Sequence, residues 1–224
     1  MIDREPMPSP REKEAIPRSR SAARSSVRSP AVSAALIDLP DPLISRTVEW
    51  IGAVNQENLS RVIAEIRGLL EKSHSAPIRL IINSHGGPTG ISMTFFDLMT
   101  TLFKPNLETI GAGDVDSSGV ILFLAGRRRR LTEHTTLFLH MAGRYMDGSK
   151  RFTTADMSSM LQEDVIKDKH YASVIAGESG GKATTSDIFG LMRANTVLTS
   201  EDALSYGIAH EIIRSSRTDG GRAA

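Results

Sequence analysis

The chain has 224 residues, 40% of them hydrophobic, so it can bury one sizeable core and is predicted to form a single domain with a tail. Its 27 Lys and Arg residues against 26 Asp and Glu residues give no reason to expect a nucleic-acid or membrane partner. The absence of cysteine excludes disulfides, a thiol nucleophile and thiolate metal ligands. No apolar run reaches the roughly 20 residues that span a bilayer, so a cytoplasmic protein is expected.

The first 40 residues differ in composition from the rest of the chain. They are rich in Arg, Ser, Pro and Ala, and their few apolar residues cannot offset the entropy lost on ordering. We therefore predict a disordered arm over residues 1–40, a folded domain over 44–214 and a flexible tail over 215–224. The arm has no apolar stretch typical of a secretory signal, and a cleaved propeptide and a tether both stay open.

From Arg46 onward, strand-like and helix-like segments alternate, which indicates an α/β domain. Apolar runs predict strands at residues 47–51, 78–82, 107–111, 131–132, 135–140 and 208–213. Helical spacing of apolar residues predicts helices after Asn55, after the loop 83–88, up to Leu124, and over 154–176 and 187–192. A last helix is predicted after Thr199, which has Asp202 three residues on as in a capping box.

Two segments carry conspicuous charge. Arg127 to Arg130 form a basic run, which is predicted to be a solvated bend or an ion-pair surface and not a nucleic-acid site. The helix over 154–176 is predicted to carry an apolar stripe formed by Met157, Met160, Leu161, Val165 and Ile166. Its opposite side is predicted to be polar, with Gln162, Glu163, Asp164, Lys167, Asp168 and Lys169. Such a stripe calls for a partner surface, so an oligomer is expected.

Ser117 stands where a strand meets an apolar helix, in the pattern Gly113-x-x-x-Ser117-x-Gly119. A turn at this point would expose the hydroxyl beside free backbone N–H groups, which is the setting of a nucleophilic serine. The same local pattern also suits a serine that only caps the helix. The motif alone leaves both interpretations open.

From Arg46 to about Arg214 the chain resembles the proteolytic subunit of the Clp protease (ClpP). The resemblance is carried in chain order by Ile51-Gly52-x-Val54-Asn55, Ile81-Ile82-Asn83-Ser84-x-Gly86-Gly87, Asp97 ahead of Lys104-Pro105, Thr109-Ile110-x-x-Gly113-x-x-x-Ser117-x-Gly119, Leu124-Ala125-Gly126, the strand ending in His140, and Leu198-x-x-x-x-Ala203-x-x-Tyr206-Gly207-Ile208. It implies a crotonase-like spiral of β-β-α units with a protruding handle helix. It also implies subunits stacked in rings that hydrolyse peptides or unfolded proteins inside a chamber.

The resemblance also implies roles for individual residues. Ser117 matches the family's nucleophile, His140 its general base, and the backbone N–H groups of Gly87 and Ser118 its oxyanion hole. The position of the family's triad aspartate falls on Asn195. An asparagine can accept the imidazole N–H, but it cannot neutralise the imidazolium charge, so a weakened Ser-His-Asn triad is expected.

Further departures from the family pattern surround these positions. His85 replaces the usual proline of the Asn-Ser-Pro-Gly-Gly loop, and Asp114 and Asp116 precede the nucleophile. His85 is interpreted as a solvent-facing loop residue. The family's Arg beside the triad aspartate, which pairs across the ring interface, is replaced by Ala194, so the contact between rings is expected to be weaker.

Three functions stay open at this point. The first is an active serine endopeptidase, with a possible AAA+ ATPase unfoldase as partner. The second is a catalytically weak or non-catalytic subunit of a ring shared with a paralogue, and the third is a crotonase-like enzyme that binds acyl-CoA. No His, Asp or Glu residues have metal-ligand spacing, and Gly86-Gly87 lacks the Lys-Ser/Thr of a phosphate loop, so no metal or cofactor is expected.

Overall fold

The structure is a computed structural model and describes residues 43–144, 146 and 148–215. The predicted arm over residues 1–40 lies outside the described residues, and so does the predicted tail apart from Ser215. No helix within the described ranges is long and apolar enough to cross a membrane.

Parallel strands form the centre of the domain, as the alternation of strands and helices predicts. The strands are β1 (Thr47–Ile51), β2 (Ile78–Ser84), β3 (Leu107–Val115), β4 (Arg128–Thr132), β5 (Thr136–Leu139), β6 (Thr196–Thr199) and β7 (Glu211–Ile213). Five of them pair in the order β1-β2-β3-β4-β7, each pair parallel. The end of β3 also pairs with β5, which continues through an antiparallel ladder to β6.

Helices connect these strands and cover them. They are α1 (Gln56–Lys72), α2 (Thr89–Asp97), α3 (Ser118–Leu124), α4 (Thr154–Glu178), α5 (Thr185–Arg193) and α6 (Ser200–Ser205). A π-helical turn over Leu98–Phe103 extends α2. The predicted caps are confirmed, because Asn55 accepts the N–H of Asn58 and Thr199 forms a capping box with Asp202.

The hydrophobic core of the domain surrounds α3. All residues of α3 are buried, which explains why this helix is apolar all round. The buried stripe of α1 consists of Leu59, Val62 and Ile66, at the spacing of one helix face. Trp50 of β1 meets Phe95 of α2 edge to face with ring centroids 5.6 Å apart.

Strand β3 is longer than its apolar run predicts, because it serves two sheets. Its first part, through Gly111, pairs with β2 and β4, and Asp114 then pairs with Thr136 of β5. Gly113 has φ 80°, and a Cβ there would lie 2.5 Å from the Asn83 amide nitrogen. Only glycine fits this bend, which directs the chain toward Ser117.

The basic run is not a solvated bend. Arg128 to Arg130 belong to β4, and Arg129 is only 4% exposed. Its guanidinium donates to the Glu178 carboxylate at 2.8 Å and to the carbonyl oxygens of Glu178 and Ile208. Arg128 and Arg130 do form ion pairs, both with Glu108. The prediction of an ion-pair surface is confirmed. The prediction of a solvated run was wrong for Arg129, because neighbouring carbonyls satisfy its buried donors.

Helix α4 is the longest helix described. Met157, Leu161, Val165 and Ile166 of the predicted stripe are all exposed in this single subunit, with Leu161 at 67%. The opposite side of the helix is not uniformly exposed, because Asp168 is only 6% exposed. Asp168 lies on the face that also carries Tyr171, Ala172 and Ile175, which face the core. One residue of the predicted polar side is therefore buried.

Candidate active site

A cavity of about 870 Å³ opens where β2, β3 and β5 end and α4 crosses them. Ser117, His140 and Gly87 line it, together with His85 and Asp168. The structure therefore brings the predicted nucleophile, the predicted base and one predicted oxyanion donor into one cavity. Ser118 is buried directly behind Ser117, at the first position of α3.

Ser117 occupies a sharp turn between β3 and α3. Its backbone angles are φ 52° and ψ −124°, a conformation that costs a non-glycine residue roughly 1–3 kcal/mol. The turn is held from both sides, because the Ser117 N–H donates to Phe138 O at 2.8 Å and Tyr171 donates its hydroxyl to Ser117 O at 2.7 Å. A strained strand-to-helix turn of this kind presents a nucleophilic side chain to a cavity.

Gly86 and Gly87, beside the turn, must be glycines because other parts of the chain approach their Cα atoms closely. A Cβ on Gly86 would lie 2.7 Å from the Ser117 Cβ, and one on Gly87 would lie 2.2 Å from Val54 O. The missing side chain of Gly87 therefore makes room for the Val54 backbone. The adjacent carbonyl of Gly86 accepts the Val54 N–H at 2.8 Å, which fixes the loop against the segment after β1.

Two backbone N–H groups are free beside Ser117. Neither the N–H of Gly87 nor that of Ser118 donates a hydrogen bond to any described residue. The Ser118 hydroxyl donates to the Gly87 carbonyl at 2.7 Å and so links the two residues. Ser118 is the first residue of α3, where unpaired N–H groups and the helix dipole favour an anion.

His140 follows the last residue of β5. Its ring stacks on Phe138 with centroids 4.9 Å apart, and its Nδ1 lies 2.7 Å from the carbonyl oxygen of Met141. An Nδ1–H that donates to this carbonyl leaves Nε2 as a proton acceptor. Within the described residues, no hydrogen bond joins Ser117 Oγ to the ring, although the hydroxyl and the imidazole line the same cavity.

Asn195 lies near His140 because the β5–β6 ladder ends with Leu139 opposite Thr196, the residues next to His140 and Asn195 in the chain. Asn195 has φ 50° and an exposed side chain, and it is not among the residues that line the cavity. The carbonyl of Met141, and not the Asn195 amide, contacts Nδ1 here. A catalytic role for Asn195 stays a prediction.

The acidic residues before Ser117 do not line the cavity. Asp116 accepts the Phe138 N–H through Oδ1 at 2.9 Å and so ties the turn to β5. Burial raises the pKa of the Asp116 carboxyl, although this hydrogen bond acts in the opposite direction. His85 is exposed and lines the cavity, in agreement with a solvent-facing loop histidine.

Sequence reasoning missed the residues that α4 contributes to the cavity. Tyr171 and Asp168 reach it from α4, where Tyr171 holds Ser117 O and Asp168 accepts the N–H of Ala142 at 2.7 Å. The signal was the spacing of Asp168, Tyr171, Ala172 and Ile175, which repeats every three or four residues like one helix face.

Comparison with known proteins identifies the family of this chain. The family model described as Clp protease matches residues 36–216, and the chain belongs to this family. It is 27% identical over 188 residues to the ATP-dependent Clp protease proteolytic subunit 2 of Bifidobacterium longum, covering 80% of this chain and 87% of that protein. It is 29% identical over 180 residues to subunit 1 of Leifsonia xyli subsp. xyli, covering 79% and 87%.

Solved structures give the same result for the fold. A ClpP1 point mutant from Listeria monocytogenes matches with a TM-score of 0.67 and 25% identity, over 77% of this chain and 93% of that one. The predicted ClpP-type crotonase-like fold is thereby confirmed. The chain is a ClpP-like proteolytic subunit by family and by fold.

Proposed function

We propose that the chain is a serine endopeptidase subunit that hydrolyses peptides or unfolded proteins inside an oligomeric chamber. Ser117 would be the nucleophile and His140 the base, with the N–H groups of Gly87 and Ser118 as the oxyanion hole. The observation that carries the proposal is the strained turn that presents Ser117 to the cavity beside two unpaired N–H groups.

The geometry supports an acyl-transfer sequence. His140 Nε2 takes the proton from Ser117 Oγ as this oxygen bonds to the scissile carbonyl carbon, and the carbonyl oxygen becomes an anion facing Gly87 and Ser118. The imidazolium then protonates the leaving amine, and the C–N bond breaks. A water gives its proton to His140 and attacks the acyl-enzyme, which releases the second peptide and restores the Ser117 hydroxyl.

Ser117 and His140 must approach each other for this chemistry. Catalytic hydrogen bonds are often long in an enzyme without substrate and tighten only when it binds. The imidazole of His140 is held by its Nδ1 contact with Met141 O, while Asn195 lies beside the last residue pair of the β5–β6 ladder. Binding of substrate, or of neighbouring subunits in the oligomer, would bring Ser117 Oγ and the His140 imidazole together. It would also bring the Asn195 amide toward His140 in the predicted Ser-His-Asn triad.

The exposed apolar stripe of α4, the predicted handle helix, supports assembly into rings. Met157, Leu161 and Val165 repeat at the spacing of one helix face and are exposed in the single subunit. A second copy of this handle helix would bury them. The names of the curated relatives contain the words "ATP-dependent" and "subunit", which supports an AAA+ ATPase as a partner of the ring.

A second function has its own support. A catalytically weak or non-catalytic subunit of a mixed ring would need neither a Ser117–His140 hydrogen bond nor a buried triad amide. The described residues show neither, since Asn195 is exposed and no hydrogen bond joins Ser117 Oγ to the ring. Such a subunit would nevertheless gain nothing from the strain at Ser117.

Hydrolysis of short fluorogenic peptides by the purified full chain separates the two functions. We expect measurable turnover that Ser117→Ala and His140→Ala each abolish, because they remove the nucleophile and the base. Circular dichroism of both variants checks that they stay folded. Turnover that persists in either variant would contradict the serine mechanism, and a wild-type chain without turnover would favour the structural subunit.

A further inference from the structure

The peptide group between Met141 and Ala142 lies between an imidazole and a carboxylate. Its carbonyl oxygen is 2.7 Å from His140 Nδ1, and its N–H donates to Asp168 Oδ1 at 2.7 Å. In a trans peptide the C=O and the N–H point in opposite directions. One amide therefore connects the ring on one side to the carboxylate on the other.

Asp168 is held rigidly where it makes this contact. It lies on the buried face of α4 with Tyr171 and Ile175, and it is only 6% exposed while it lines the cavity. It forms no salt bridge with any described residue. A buried carboxylate without a cation partner is costly, so its retention at the cavity calls for a role.

The neighbouring carboxylate of α4 behaves differently. Asp164 also lines the cavity, but it receives Arg144 Nε at 2.8 Å and is only partly buried. Arg144 neutralises Asp164, whereas Asp168 keeps its charge available to its surroundings. Burial raises the pKa of the Asp168 carboxyl, and the hydrogen bond from the Ala142 N–H acts in the opposite direction.

We propose that Asp168 is the positioning residue that replaces the missing triad carboxylate, acting on His140 through the Met141–Ala142 peptide group. Its hydrogen bond polarises the amide, so that the Met141 carbonyl becomes a better acceptor for Nδ1–H. This fixes the tautomer with Nε2 as the base, and the negative charge stabilises the imidazolium. The inference rests on the proposed serine mechanism and identifies the source of the charge that Asn195 cannot supply.

The test compares Asp168→Asn with the full-length wild type, because asparagine keeps a similar shape and an acceptor while removing the charge. We expect kcat/KM for a short peptide to fall about 10- to 100-fold, less than the roughly 10⁴-fold loss for a directly bonded carboxylate. The loss should fall on kcat and leave KM nearly unchanged, because the charge acts on the imidazolium that forms only in the transition state. Asp164→Asn is the matched control and should lower kcat much less.

The other charged groups around the ring must be separated from Asp168. Asp116 lies at the turn, His85 follows β2, and Lys167 and Arg144 line the cavity near α4. An effect of Asp116, His85, Lys167 or Arg144 on the tautomer of the ring persists in Asp168→Asn, because these four residues are unchanged there. A double-mutant cycle with Asn195→Asp gives the second criterion. The new carboxylate should restore more activity to Asp168→Asn than it adds to the wild type.

A readout independent of hydrolysis keeps the two proposals distinguishable. Solid-state NMR of protein labelled with ¹⁵N-histidine, with His140 assigned from His140→Gln, reports the tautomer of this ring. We expect Asp168→Asn to reduce the Nδ1–H tautomer, even if the wild type proves inactive and the proposed function fails. An unchanged ring signal and an unchanged kcat in a folded Asp168→Asn, with Asp168→Glu equally silent, would overturn the role of Asp168.

Discussion

The hydroxyl of Ser118 donates a 2.7 Å hydrogen bond to the carbonyl oxygen of Gly87. This side-chain contact connects the first turn of α3 to the loop after β2, and both residues have unpaired N–H groups. The spacing of the two donors therefore depends on a side chain that does not itself face the cavity. An oxyanion hole requires such preorganisation.

Ser118→Ala tests this dependence, because it keeps the backbone N–H and removes only the hydroxyl. We expect kcat to fall about tenfold, less than the roughly 10²- to 10³-fold loss of a whole oxyanion donor. Thr109→Val is the control, since it removes a buried hydroxyl that donates to Phe123 O at the same 2.7 Å. Both variants should lose about 1 kcal/mol of stability. Equal activity of the two variants would contradict a role in positioning.

The strain at Ser117 predicts a stability difference between two inactive variants. Ser117→Gly relieves the φ of 52°, which alanine at this position must still adopt. We expect Ser117→Gly to be about 0.5–1 kcal/mol more stable than Ser117→Ala, after the entropy that glycine loses on folding. Urea unfolding of the two variants measures the difference. A less stable glycine variant would mean that the turn is not strained in solution.

Asp168 predicts a dependence of stability on pH. Burial and the like charge of Asp164 raise its pKa above the ordinary value of 3.8, although Ala142 N–H and His140 act in the opposite direction. The folded state therefore holds this proton more tightly than the unfolded state. Its contribution to stability is fully present below about pH 3.8 and is lost as pH rises through the folded pKa.

Asp168→Asn removes the loss of stability that the wild type undergoes as the pH rises. We expect the variant to be more stable than the wild type at pH 7, with the difference shrinking toward pH 3, in urea titrations at both pH values. A more stable variant with lower activity would separate the catalytic effect from any unfolding. A variant that is less stable at pH 7 would mean that the Ala142 hydrogen bond outweighs the cost of burial.

The exposed stripe of α4 predicts weaker assembly when it is charged. Leu161→Glu places a carboxylate at a residue that is 67% exposed, and desolvating that charge opposes burial between two handle helices. We expect mass photometry over a dilution series to show smaller assemblies than the wild type. Gln162→Glu adds the same charge next to the stripe and should change the distribution less. Identical mass distributions for Leu161→Glu and the wild type would contradict burial of the stripe.

Much of the fold followed from local patterns. Strand β1 and the beginnings of β2 and β3 matched their apolar runs, and the caps at Asn55 and Thr199 matched their sequence signals. The extension of β3 past Gly111 did not follow, because its pairing with β5 joins residues far apart in the sequence. Arg129 was misplaced for a related reason, since its acceptors come from α4 and the segment before β7.

The candidate site, like the fold, could be predicted from the sequence only in part. Motifs located Ser117, His140 and Gly87, and the structure places all of them at one cavity. Motifs could not show that the Met141 carbonyl occupies the Nδ1 side of His140, because a backbone acceptor leaves no trace in residue identity. They also could not show that Asp168 faces this peptide group, since the rotation of α4 is set by the packing of Tyr171 and Ile175.

Activation of Ser117 is the central claim, and covalent labelling tests it most directly. The assembled full-length protein is treated with a fluorophosphonate, and the modified peptide is identified by mass spectrometry. We predict an adduct on the Ser117 hydroxyl, absent after His140→Ala and slower to form in Asp168→Asn. An unmodified Ser117 in folded, assembled wild-type protein would contradict the account.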